Sequence, residues 1–374
     1  MTRTNLITGG AGFIGSNLAQ RLLSMGERVL LLDNLSRPNV SWNAAWLRHC
    51  FGDRAELRVA DILDDGAVRE CVRQAEFVFH FAAQVAVTSS LTDPLHDFEV
   101  NARGTLNVLE AVRSSPRPPA VFFTSTNKVY GDLGHVALSL GEHGYEPMAA
   151  EIRQHGVRED APLDFHSPYG CSKGCADQYV RDYARCFGIP AVVFRMSCIY
   201  GPRQFGTEDQ GWVAHFLLRA LRGEPITVYG DGHQTRDLLF VGDLVEAFLT
   251  ARAKLDVCSG QAFNIGGGPN NYASVLEVLR RAGALTRSEL ALSFDAWRTG
   301  DQRYYVSDIR KFSRLTGWQP RVSLASGVVQ LGDWLRSVVE GQHEEQEASW
   351  QALANGALGS HGADAYSAGN GAAQ

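Results

Sequence analysis

Asn5-Leu6-Ile7-Thr8-Gly9-Gly10-Ala11-Gly12-Phe13-Ile14-Gly15 is the stretch that decides the fold. Its first four residues read as a short buried strand, and the residues from about Ser16 to Leu23 read as an amphipathic helix. Between the two, Gly9, Gly12 and Gly15 permit a tight turn and let backbone N–H groups approach a pyrophosphate, with Phe13 and Ile14 in the same contact. The helix N-terminus adds its partial positive charge. Glycines at this spacing are a weak signal alone, and the bland reading is a turn. Their place between a strand and a helix is what gives them weight.

Working outward, Arg28-Val29-Leu30-Leu31-Leu32 reads as a second strand ending in Asp33 and Asn34. An acid about twenty residues past the glycines accepts hydrogen bonds from ribose hydroxyls, and its charge repels a 2′-phosphate. NAD is therefore expected over NADP, with Arg37 pulling the other way and a simple turn residue as the bland reading of Asp33. A third strand, Glu56 to Ala60, ends in Asp61 and Ile62, a plausible adenine contact or ordinary loop chemistry. Phe77 to His80 is a fourth strand, followed by Phe81-Ala82-Ala83-Gln84, whose small residues let a cofactor lie on the backbone. A helix is expected from about Pro94 to Val112, carrying Asn101 toward the cofactor, before the loop Ser115-Pro116-Arg117-Pro118-Pro119.

A fifth strand, Ala120 to Thr124, leads into Ser125-Thr126-Asn127-Lys128, at the strand end where open α/β sheets form their crevice. Residues 133 to 163 carry little periodicity and read as a mobile loop over that crevice. Next comes His166-Ser167-Pro168-Tyr169-Gly170-Cys171-Ser172-Lys173, in a helix running to Phe187 and stopped by Gly188. Tyr169 and Lys173, four apart, share one helix face. An ammonium there lowers a phenol pKa that is otherwise about 10, so that the phenol can exchange a proton with a sugar hydroxyl. The bare spacing more often marks a surface tyrosine beside a solvated lysine; Thr126, at the same crevice, is what favours chemistry.

The strand–helix alternation, with a sixth strand at Ala191 to Arg195, argues for an α/β, Rossmann-type doubly wound parallel sheet. Beyond it the pattern becomes irregular, as expected of a smaller mixed α/β substrate domain on the carboxyl side. The division expected is residues 1–196 with 234–257 for the NAD-binding part, 197–233 with 258–341 for the sugar-nucleotide part, and a disordered tail over 342–374 rich in Ala, Gly, Ser and Gln. Asp243 reads as a helix cap. Arg298 and Arg303 sit in a loop, and arginine forks suit phosphate, although a solvated surface is the ordinary alternative.

Composition excludes several classes of function. A net charge of −6, from 35 Lys+Arg against 41 Asp+Glu, gives no basic field for nucleic acid or an anionic membrane. Seven scattered cysteines without metal-like pairing read as reduced thiols in a cytoplasm, with no metal site expected. No signal peptide before the first strand and no apolar run of membrane-spanning length are apparent.

Together the glycine triplet, Asp33, Thr126, the Tyr169/Lys173 pair, Arg236 and Arg298 resemble the extended short-chain dehydrogenase/reductase family of nucleotide-sugar enzymes, over roughly residues 4 to 337. Within it, Ser125 to Asp132, Asp164 to Gly174, Arg203-Gln204-Phe205, Asp209 to Trp212 and Asp301-Gln302-Arg303 are most similar to members that invert carbon 2 of a CDP-hexose. The resemblance implies a tightly bound NAD, a nucleotide-sugar substrate and a homo-oligomer, dimer or tetramer, built by helix pairing. It implies Tyr169 as proton acceptor, Lys173 on the nicotinamide ribose, Thr126 on the reacting oxygen, and Arg236 and Arg298 on the diphosphate. It also puts Asn127, His166, Cys198, Arg203, Gln210 and Trp212 around the substrate. A UDP-hexose 4-epimerase uses the same Tyr, Lys and hydroxyl and stays open. A 4,6-dehydratase needs acids where Asn127 and Lys128 stand, and the family's decarboxylases place a Glu at Asn127. A catalytically silent NAD sensor or scaffold on the same fold is the alternative from another class.

Overall fold

The computed structural model describes residues 4–340, so the tail expected to be disordered lies outside the described residues. Seven strands form one parallel sheet: β1 Thr4–Thr8, β2 Arg28–Asp33, β3 Ala55–Val59, β4 Phe77–His80, β5 Ala120–Thr126, β6 Ala191–Met196 and β7 Ala262–Ile265. Their spatial order is β7-β6-β5-β4-β1-β2-β3. The chain therefore reverses direction across the sheet at β1, which pairs with β2 on one side and β4 on the other. Parallel pairing brings the carboxyl ends Thr8, Asp33, His80, Thr126 and Met196 to one edge, and ligands of such sheets bind where the order reverses.

Alternating side chains cover both faces. Ile7, Leu31, Phe79, Phe122 and Phe194 pack under the helices Phe13–Ser24 and Val241–Ala253. Leu6, Leu30, Val78, Val121 and Val193 pack under Asp65–Arg73, Gly104–Arg113 and Ser167–Phe187. Strands buried on both faces read as the continuous apolar runs found in the sequence.

Several expectations are corrected. The helix expected over residues 94–112 is two α segments, Pro94–Phe98 and Gly104–Arg113, joined by a π turn at Glu99–Arg103 that carries Asn101. Residues 133–163 hold a hairpin, Leu138–Gly141 with Gly144–Pro147, and a helix, Ala150–His155. This stretch lies against the smaller sheet, where Tyr145 N bonds His233 O at 3.0 Å, and lines no part of the cleft. Its short elements, four to six residues each, are below the length at which periodicity can be read. Asp243 does not cap its helix; its Oδ2 accepts from the N–H groups of Arg321 and Val322, both at 2.9 Å. Two strands cross the expected division: Ala262–Ile265 edges the large sheet, and Thr235–Phe240 centres the smaller one, beside Cys198–Tyr200, Tyr272–Ser274 and Tyr304–Tyr305.

Candidate active site

A cleft of about 1200 Å³ runs along the carboxyl edge of the large sheet and continues under the loops before and after Trp212. The glycine turn forms its floor at one end. Gly9 has φ +65°, a conformation side chains resist. A Cβ at Gly15 would stand 2.4 Å from Gly9 O, so the helix can start this close to the turn only without one. The helix Phe13–Ser24 begins with no side-chain cap, leaving its first N–H groups to the cleft. Asp33 Oδ2 accepts from Ala11 N and its Oδ1 from Leu35 N, both at 2.9 Å, which fixes the carboxyl at the lip. Burial pushes that carboxyl up, while those N–H groups and the Arg37 charge pull it back. Asn34 Nδ2 bonds Asp61 Oδ2 at 2.7 Å, and Ile62 lies alongside. Ala82, Ala83 and Gln84 line the opposite wall. A bare helix start, a turn without side chains and an acid at the second strand end fit a dinucleotide.

Thr126 ends β5, and its Oγ1 accepts Lys128 N at 3.2 Å, turning the chain into the 3₁₀ turn Asn127–Tyr130. Tyr169 stands across from it on the helix Ser167–Phe187, whose Ser167 adopts φ +64° just before Pro168. Burial pushes the Tyr169 phenol up to about 12, with the nearby Thr126 hydroxyl pulling it back. Lys173 is buried, with its ammonium 4.3 Å above the Phe123 ring, and burial brings it down to about 7 against the pull of Asp177 and Asp97. Desolvation governs both groups, and it leaves the phenol above its ordinary value rather than below it.

The far end of the cleft is ionic. Asn127 Nδ2 bonds Gln302 Oε1 at 3.1 Å, and Lys128 Nζ bonds Gly300 O at 3.0 Å. Arg236 bonds Asp301 Oδ1 at 2.7 Å and also Gln302 O. Burial pushes the Asp301 carboxyl up, but the Arg236 and Lys128 charges hold it below the usual range. Arg298 lies 3.8 Å over the Tyr229 ring and bonds Glu208 Oε1 at 2.9 Å. Both arginines expected on a diphosphate are therefore in the cleft but paired with the chain's own carboxylates. Arg203 stacks 3.2 Å over Trp46. Trp212 Nε1 donates to Cys198 Sγ at 3.4 Å, and Gln210 pairs through its backbone with Thr207.

Two expected residues do not line the cleft. Asn101 is buried behind the wall, where its Oδ1 accepts Gln84 N at 2.9 Å. His166 faces away, with Nε2 at 3.1 Å from Asp164 Oδ2. Sequence reasoning missed Asp97, which belongs to no spacing motif, and gave no role to Ser172 and Gln302, each quoted within a stretch.

The model of the NAD dependent epimerase/dehydratase family matches residues 5–266. The chain is 42% identical over 340 residues to the CDP-paratose 2-epimerase of Salmonella typhi, covering 89% of this chain and 99% of that protein. It superposes on the UDP-glucose 4-epimerase of Thermotoga maritima, solved with UDP-glucose, with a TM-score of 0.77 and 30% identity over 90% of this chain and 99% of that one. The UDP-glucuronic acid 4-epimerase of Bacillus cereus, solved with UDP-glucuronic acid and NAD, gives 0.77 and 27% over 90% and 99%.

Proposed function

Since the chain belongs to the NAD-dependent epimerase/dehydratase family, we propose that it inverts carbon 2 of a CDP-hexose through a transient keto-sugar. Its cofactor is NAD, which when bound takes a hydride from the sugar carbon and returns it to the other face. The glycine turn and Asp33 hold the dinucleotide tightly enough that none need be added. The half of the chain built on the large sheet serves the cofactor and the smaller sheets serve the sugar nucleotide.

The chain's own groups handle the proton. Tyr169, once ionised, takes the hydroxyl proton of the reacting carbon and gives it back after the sugar has turned. Thr126 lines the same cleft as that phenol and holds the reacting oxygen. Lys173, on the same face, supplies the positive charge that stabilises a tyrosinate. Arg236 and Arg298 exchange their carboxylate partners for the diphosphate, which anchors the substrate while its sugar reorients. No acid beside Thr126 can drive loss of water: the neighbours are Asn127 and Lys128, and Asp301 is held ionised by two cations. This supports an epimerase over a dehydratase.

The observation that carries carbon 2 is the likeness to the Salmonella typhi protein along nearly its whole length. The test uses a CDP-hexose deuterated at carbon 2. Internal hydride return predicts that the label stays on carbon 2 of the inverted product. Inversion at carbon 4 with carbon 2 untouched sinks this reading in favour of a 4-epimerase. The enzyme works in the cytoplasm as a homo-oligomer. Leu95 and Phe98 are 78% and 52% exposed, as suits a helix face that pairs with a second copy.

A further inference from the structure

Behind the Tyr169–Lys173 turn lies a carboxylate that the chemistry above does not use. Asp97, in the short helix Pro94–Phe98, has no solvent exposure. Its Oδ2 accepts a short hydrogen bond from Ser172 Oγ, and its Oδ1 accepts from Asn101 Nδ2 at 3.2 Å. Asn101 Nδ2 also reaches Ser172 Oγ at 3.0 Å, and Gln84 N donates to Asn101 Oδ1. Both Asp97 oxygens thus have hydrogen-bond partners; burial pushes the carboxyl up, while Ser172, the Lys173 charge and Asn101 pull it back.

Ser172 immediately precedes Lys173 and lies three residues after Tyr169, so the clamp grips the turn that carries both. The charged and titratable groups facing this carboxylate are Lys173 and Tyr169 on the catalytic helix and His96 on its own segment. Lys173 in turn faces Asp177 one turn along and His80 at the end of β4. His80 contributes no charge, because burial and Lys173 bring it down to about 3. Asp97 is therefore one of two negative charges available to an otherwise buried ammonium, and a carboxylate removed from water acts more strongly than an exposed one.

We propose that Asp97 is a positioning residue of this active site: through Ser172 and Asn101 it fixes the Tyr169–Lys173 turn against the Gln84 wall, and its charge keeps Lys173 an ammonium. The proposal rests on the reading of Tyr169 and Lys173 as the proton-transfer pair. Its direction follows from the field. A negative charge raises the pKa of both the phenol and the ammonium, and Asp97 acts in that sense on each. Removing it moves both groups toward acid.

The chain contains four lysines, Lys128, Lys173, Lys254 and Lys311, so ε-carbon-labelled lysine gives a spectrum simple enough to assign with single Lys→Arg variants. The titration is run on the purified holoenzyme and on Asp97→Asn. The expected result is a Lys173 midpoint lower by about one pH unit, with Lys254 and Lys311 unmoved. The pH profile of turnover shifts toward acid by a similar amount, while the KM for the sugar nucleotide changes little. A Lys173 midpoint that stays in place overturns the proposal, whatever happens to the melting temperature. Should Asp97→Asn fail to fold, Asp97→Ser, also neutral, carries the same expectation. The lysine titration needs no substrate, so it judges Asp97 even if the enzymatic reading fails. That reading fails separately, if Tyr169→Phe turns over like wild type.

Discussion

Tyr169 is where most of the chemistry stands or falls. Replacing it by Phe removes one oxygen and, on the proposed reading, the proton acceptor, so kcat is expected to fall by about 10²–10⁴-fold with NAD content unchanged. Lys173 predicts a trade between stability and activity. The residue is 3% exposed, and burial holds its amine at about 7. Between pH 7 and its ordinary value near 10.5 the unfolded chain binds a proton that the folded chain does not, so this group's contribution to stability rises with pH across that window. Lys173→Met is therefore expected to abolish turnover yet stabilise the fold by about 1–3 kcal/mol near pH 6, with the gain vanishing above pH 10, as read by chemical denaturation at both. That Thr126, Tyr169 and Lys173 meet in one cleft was legible because each sits at a position that a strand end or a helix repeat fixes. Asp97 was not, because its role depends on a π turn and a packing of helices that no local spacing encodes.

At the scale of elements, one strand–turn–helix unit fixes the cofactor end of the cleft. A methyl at Gly15 would stand within 2.7 Å of backbone atoms of Gly9 and Gly10. Gly15→Ala is expected to push the helix off the turn and lower the NAD retained on purification by about tenfold or more, measured by absorbance after denaturation. The catalytic helix is tied to the sheet by a buried ion pair. Arg195 on β6 donates to both oxygens of Asp177, at 2.9 and 3.0 Å, and to Tyr130 Oη, which in turn bonds Asn264 on β7. Arg195→Met leaves Asp177 buried without its guanidinium, with Gln178 Nε2 still donating to it at 2.8 Å, and is expected to cost about 3–5 kcal/mol in urea unfolding; the double change to Arg195→Met with Asp177→Leu should recover most of it. The parallel sheet was legible because its strands are long apolar runs with turn residues after them. The hairpin within residues 133–163 was not, because Leu138–Gly141 and Gly144–Pro147 pair with each other over four residues apiece, too few to show a period.

At the scale of the whole molecule, assembly and reaction can each be tested. Leu95 and Phe98 together carry exposed apolar surface on a helix beside the catalytic one. Leu95→Glu with Phe98→Glu is expected to give a monomer by light scattering, against a dimer or tetramer for the wild type. The reaction is tested most directly by NMR of CDP-paratose, CDP-glucose and UDP-glucose after incubation with the purified protein and no added cofactor. The expected result is inversion at carbon 2 of a CDP-sugar and no change in UDP-glucose. Inversion at carbon 4 of UDP-glucose, with both CDP-sugars unaltered, would contradict it.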